Sequence, residues 1–95
     1  MAVAVEMNFK GATLDQYEQV IDKMGFTHGG KGAPRGLFHW VAQTEDGLRV
    51  VDVWETKEDY ERFAQEQIAP YTREVGITSP PEVKYTEVHN YLTAG

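Results

Sequence analysis

Residues 36–60 read GLFHWVAQTEDGLRVVDVWETKEDY, and they hold two strands, a hairpin turn and the start of a helix. Gly36 to Gln43 and Leu48 to Glu55 are runs rich in β-branched and aromatic residues. Thr44-Glu45-Asp46-Gly47 joins them, and Asp-Gly between two such runs marks an antiparallel hairpin. Thr56 then caps a helix, with Asp59 three residues on as the reciprocal partner of a capping box. The apolar spacing changes there to a helical stripe of Tyr60, Phe63, Ala64 and Ile68. Pro70 ends or kinks this helix at about Ala69, and a weaker helical turn follows through Tyr71 and Val75.

Upstream, Ala2 to Phe9 alternates Val3, Val5, Met7 and Phe9 against Ala2, Ala4, Glu6 and Asn8, the period of a half-buried strand. Thr13 to Met24 places Leu14, Tyr17, Ile21 and Met24 on one helical stripe. Thr13 and Gln16 stand at capping-box spacing, and Gly25 stands where a helix-ending glycine is expected. The connection from Gly25 to Gly36 holds five glycines and no periodicity, so a flexible lid or plain linker is expected there. It lacks the GxxxxGK[ST] spacing of a phosphate loop. Downstream of the rigid Pro80-Pro81 break, Glu82 to Leu92 reads as a last strand. Val83, Tyr85, Glu87, His89 and Tyr91 share one of its sides.

The order is βαββαβ. Right-handed crossovers turn it into an α+β, ferredoxin-like, four-stranded antiparallel sheet with both helices on one face and strand order 4-1-3-2. The other face then carries apolar side chains into water unless something covers it, and a second copy of the same sheet is the simplest cover. A homodimer with two sheets face to face is therefore expected.

The 95 residues are expected to form a single domain, with hydrophobic residues at 41%, charged residues at 25% and a net charge of -6. The chain has no cysteine, which removes disulfides, thiolate nucleophiles and zinc–thiolate sites. The acidic balance argues against a nucleic-acid partner. No apolar run approaches a membrane span. The opening MAVAVEMNF lacks a basic leader and meets Glu6 early, so a cytoplasmic protein is expected.

The segment Val50-Val51-Asp52-Val53-Trp54-Glu55-Thr56-Lys57-Glu58-Asp59-Tyr60 resembles the VxxWxSxexF segment of the dimeric α/β-barrel superfamily, and within it the antibiotic-biosynthesis-monooxygenase-like domains. The resemblance extends over the whole chain in element order and length. It implies a dimeric α/β barrel with Trp54 at a ligand pocket. The superfamily includes cofactor-free oxygenases, haem-degrading enzymes, isomerases, polyketide cyclases and proteins without known activity, so the fold does not choose the reaction. Haem-degrading members pair an Asn on the first strand and a Trp ending the third with a His on the second long helix. Asn8 and Trp54 match, but Lys57 to Arg73 contains no histidine, so the axial ligand is missing. No cofactor is expected.

The residues themselves offer a few candidates. Asp52 interrupts an apolar strand, where a carboxylate requires a partner. It is either a general base or one half of a buried pair with His39 or Arg49. A four-residue hairpin loop places His39 opposite Asp52, and a two-residue Asp46-Gly47 turn places it opposite Trp54. A three-residue loop with a bulge breaks that parity. A histidine beside a carboxylate is a usable proton-transfer pair, and a satisfied structural histidine is the plainer alternative. Trp54 either stacks an aromatic ligand or fills the core. Small and polar residues on a central strand suggest a cavity wall, so Glu6, Asn8, His39, Asp52 and Trp54 are expected on one cavity face, with Val51 and Val53 toward the helices.

His89 is expected at a rim or dimer contact. It stands three strand spacings, roughly 14 Å, from the second strand, which rules out a metal site with His39 and Asp52 in one subunit. Tyr17, Tyr60 and Phe63 read as core. The leading functional expectation is a cofactor-independent oxygenase of an aromatic or polyketide-like small molecule. His39 or Asp52 would take a proton, and Asn8, Trp54, Glu6 and His89 would contact the ligand. The alternatives are a non-oxidative isomerase or cyclase in the same pocket and a non-catalytic ligand-binding or dimerisation module.

Overall fold

A computed structural model describes residues 1–94. The elements run β1 (Val3–Lys10), α1 (Leu14–Met24), β2 (Gly36–Thr44), β3 (Gly47–Trp54), α2 (Lys57–Phe63), a π-turn (Ala64–Ile68), α3 (Ala69–Glu74) and β4 (Glu82–Glu87). The four strands form one antiparallel sheet in the order β2-β3-β1-β4. That is the expected ferredoxin-like order, and the helical segments pack on one side of it.

The alternation in β1 is what selects that side. Val3, Val5, Met7 and Phe9 are buried, with Val5 and Met7 sealed completely. Each such side chain contributes about 1.5–3 kcal/mol on burial. The β1–β3 register sets them beside Trp54, Asp52, Val50 and Leu48 in turn, so those four β3 residues also point toward the helices. Tyr60 closes this core from α2, with Phe63, Ala64 and Ile68 packed against it. In the β2–β3 hairpin Thr44 pairs with Gly47, which leaves Glu45-Asp46 at the tip and puts His39 opposite Asp52. Glycine is required at position 47 by the neighbouring strand, because a Cβ there would run into the carbonyl of Phe9.

Both expected caps on α1 form. Gln16 N–H donates to Thr13 Oγ1, and Thr13 N–H donates to Gln16 Oε1. Gly25 ends the helix in the left-handed conformation at φ 82°. The buried stripe is rotated from the expected one: Val20 is the buried residue of α1, and Leu14 is 41% exposed. Leu14 lies at the margin of the arc centred on Tyr17, Val20 and Met24. Thr56 caps α2 by accepting from Asp59 N–H, but the box is one-sided. The Asp59 carboxylate turns instead toward Arg35, 3.9 Å away.

Pro70 does not stop the helix. It has no N–H, and its ring would clash with the carbonyl four residues back in a regular turn. The π-turn absorbs this with one extra residue, Ala69 N–H bonding to Ala64 O, and α3 continues to Glu74. β4 is shorter than expected. Val88 N–H still reaches Ala2 O, but His89, Asn90 and Tyr91 lie beyond the strand.

The opposite sheet face is uncovered in the single chain. Phe38 pairs with Val53 and Trp40 with Val51 on it, and the two aromatic rings are 52% and 41% exposed.

Candidate functional site

The register divides the expected constellation in two. Asp52 and Trp54 lie opposite Val5 and Val3 on the helix side, whereas Glu6 and Asn8 lie opposite Val51 and Arg49 on the open face. Val51 and Val53 therefore do not face the helices. Leu48 and Val50 share the parity of Asp52 and Trp54, and three apolar residues outweigh one carboxylate in setting the buried side.

On the helix side four side chains make a continuous chain of hydrogen bonds. Trp54 Nε1–H donates to Asp52 Oδ2 at 3.0 Å. Asp52 Oδ1 lies 2.6 Å from His39 Nδ1. His39 Nε2 lies 2.6 Å from the Tyr17 hydroxyl. A carboxylate can only accept, so in the neutral imidazole Nδ1 carries the proton and Nε2 accepts from the Tyr17 hydroxyl. The Tyr17 and His39 rings are nearly parallel, 6° apart.

The burial of Asp52, 5% exposed, is offset by its two donors. Its partner is His39 and not Arg49, because Arg49 Nε donates to Asn8 Oδ1 at 3.2 Å on the far face. Asn8 Nδ2 in turn donates to Glu6 at 3.1 Å, so Glu6, Asn8 and Arg49 form a separate polar row.

Trp54 is 3% exposed. Its indole packs against Phe63 and Tyr60, with ring centroids 5.1 and 6.2 Å away. Trp54 thus meets Asp52 from within the core and presents no open ring face. His89 lies beside Met1, Ala2 and Tyr91 past the end of β4, at the sheet edge opposite His39. Among the described residues no group of three His, Asp or Glu side chains is placed to hold a metal ion.

The helical spacing marks Tyr17 only as core. Its contact with His39 depends on α1 lying over β2, which spacing within α1 does not reveal. Burial pushes its phenol up to about 12, and the negative charges of Glu18 and Asp52 add to this. An unfolded tyrosine ionises near 10.0. Between those values the folded chain keeps a proton that the unfolded chain has lost, so this contribution is intact below pH 10 and is lost toward pH 12. Thermal melts across that range should show a falling stability, and Tyr17→Phe should flatten part of the fall. An identical slope in the variant would contradict the raised ionisation of Tyr17. Burial also pushes the Tyr60 phenol up, with a smaller contribution from Tyr85, so part of the slope persists.

The glycine-rich connection is tied down beside this chain of bonds. Phe26 stacks near Phe63, with centroids 6.5 Å apart. His28 Nε2 reaches both oxygens of Glu18 at 2.8 and 2.9 Å. Arg35 takes a left-handed backbone at φ 70° and lies 3.7 Å from Glu55. Gly36 lies against the Trp54 ring.

No protein-family model matches the chain, and no curated protein matches it by sequence. Solved structures do match. One is Rv0793 from Mycobacterium tuberculosis, at 16% identity and TM-score 0.64, covering 98% of this chain and 100% of that one. Another is SnoaB, a cofactor-independent oxygenase from Streptomyces nogalater, at 17% identity and TM-score 0.59, covering 98% and 97%. A third is a monooxygenase from the gene ActVA-Orf6 of Streptomyces coelicolor in complex with the ligand nanaomycin D. It shows 20% identity and TM-score 0.52, covering 99% and 92%. The chain shares the ferredoxin-like fold of these proteins. At these identities the likeness is one of architecture, and it spans nearly the full length of each structure.

Proposed function

We propose that this protein is a cofactor-independent oxygenase of an electron-rich phenol, with His39 as the base and Asp52 as the group that orients it. The observation that carries this reading is His39 held between a buried carboxylate and a phenol hydroxyl, 2.6 Å from each. Two proteins of the same fold are an oxygenase and a monooxygenase, one of them solved with nanaomycin D, and this supports an aromatic, polyketide-like substrate.

The reaction balances without a cofactor. His39 takes the phenolic proton, and the electron-rich phenolate passes an electron to dioxygen. The two radicals then join as a ring peroxide. Its O–O bond and the C–H bond at the same ring carbon then break, and water leaves with the phenolic proton and that ring hydrogen to give a quinone. Phenol and dioxygen give quinone and water, and the substrate supplies all four electrons. A carboxylate behind the imidazole stabilises the imidazolium as it forms. Asn8 and Glu6 lie on the other face and Trp54 inside the core, so a ring bound at His39 meets none of them.

The test is a set of naphthols, hydroxyanthracenes and hydroquinones incubated in air and under nitrogen without added cofactor, with products identified by mass. Quinone formed only in air supports the oxygenase. Product formed equally under nitrogen would support the second reading, an isomerase or cyclase, which the same base favours because proton transfer alone needs no oxygen. Saturable binding without conversion would leave a ligand-binding module.

The uncovered sheet face belongs to the same proposal. Phe38 and Trp40 stand side by side over Val51 and Val53, and a second copy of the sheet would cover them. Light scattering is expected to give about twice the 10.8 kDa chain mass, and Trp40→Glu to shift it toward the single chain. A wild-type protein that scatters as one chain at micromolar concentration would contradict the dimer.

A further inference from the structure

The hydrogen-bonded chain has a direction. Its Trp54–Asp52 bond is buried, its Asp52–His39 bond is partly buried, and its His39–Tyr17 bond is exposed. Both Asp52 oxygens are filled, one by His39 and one by Trp54, so the carboxylate is closed to a ligand. The basic nitrogen of His39 is also filled, by the Tyr17 hydroxyl. A hydroxyl that donates its proton still has lone pairs to accept with. The open acceptor at the exposed end is thus the Tyr17 oxygen.

Resting on the oxygenase reading, we infer that Tyr17 is the residue that meets the phenolic hydroxyl of the substrate and relays its proton to His39, while Trp54 positions the relay from inside the core. In the forward step the substrate O–H bond breaks and a new O–H bond forms at Tyr17. The original Tyr17 proton passes to His39 Nε2, so Tyr17 remains a neutral phenol and one proton is stored on the imidazole opposite Asp52. In the reverse sense the same path returns that proton to the peroxide oxygen that leaves as water. Trp54 acts through Asp52. Its indole N–H fixes Oδ2, which leaves Oδ1 aimed at Nδ1 and keeps the histidine in the one tautomer whose Nε2 can accept.

The test reads the histidine nitrogens directly and then turnover. Long-range proton–nitrogen correlation spectra of uniformly 15N-labelled protein, with His39 assigned by His39→Gln, are expected to show a protonated Nδ1 and a hydrogen-bonded, unprotonated Nε2. Tyr17→Phe should move Nε2 toward the value of a free imine nitrogen and leave Nδ1 protonated. Trp54→Phe keeps a ring in the core and removes the N–H, and it should mix the two tautomers. An unmoved Nε2 in Tyr17→Phe overturns the relay, and a pure tautomer in Trp54→Phe overturns the positioning role.

With the phenol that wild type converts fastest, Tyr17→Phe should lower kcat by about 100-fold. Equal kcat overturns the relay as well. If wild type converts no phenol, the oxygenase reading fails, and the nitrogen spectra alone decide whether the relay exists.

Discussion

Asp52→Asn should stop turnover while leaving a folded protein. An amide has one acceptor and one donor end, and both partners of Asp52 are donors, the Trp54 indole and the His39 Nδ1–H. If the amide oxygen stays on the indole, its NH2 meets Nδ1, and the histidine must shift its proton to Nε2. The basic nitrogen then becomes a donor toward Tyr17 and cannot take a proton. If the amide is turned the other way, the indole N–H is left facing a donor inside the core. The first arrangement costs the reaction about 10²–10⁴-fold in kcat, the range of a lost general base. The second costs about 1–3 kcal/mol of stability for an unsatisfied buried donor. Steady-state turnover and thermal melts on the same sample separate the two, and unchanged kcat would remove Asp52 from the mechanism.

The largest loss of stability is expected at Trp54→Ala. The indole is 3% exposed and wedged among Tyr60, Phe63 and Gly36. Truncating a buried Trp costs about 3–5 kcal/mol, and a domain of this size holds only about 5–15 kcal/mol in all. The cavity also leaves Asp52 Oδ2, a buried carboxylate oxygen, without its donor. Urea titration should find the midpoint sharply lower or no folded baseline at all, whereas Trp54→Phe should keep a cooperative transition. A wild-type midpoint in Trp54→Ala would mean that the indole is not the keystone of this core.

The architecture was legible because each element carries a local signal. The alternation of β1, the capping box at Thr13, Gly25 and the Thr44–Gly47 hairpin all act within a few residues, and together they leave few topologies. The hairpin alternatives were also few, and one of them is the observed pairing of His39 with Asp52. What was not legible depends on the other elements. The side to which β3 turns Asp52 follows from Leu48 and Val50 at the same parity, and Arg49 on the other parity marks the open face. A carboxylate and a tryptophan nevertheless read as cavity wall, because a strand pattern does not show that each can satisfy the other. The contact of Tyr17 with His39 is set by α1 lying over β2, which no spacing within either element reveals. The π-turn was hidden because Pro70 signals the fault in the helix and not its repair.

In the proposed mechanism His39, set by Asp52, makes this small protein a base toward a phenol that then reacts with oxygen. The most direct measurement is oxygen uptake, without added cofactor, by wild type beside His39→Gln and Asp52→Asn on the same phenols. Uptake above the autoxidation blank, equal in moles to the quinone formed and lost in both variants, is the predicted result. Uptake that survives in both variants, or its absence on every phenol with wild type, would contradict the account.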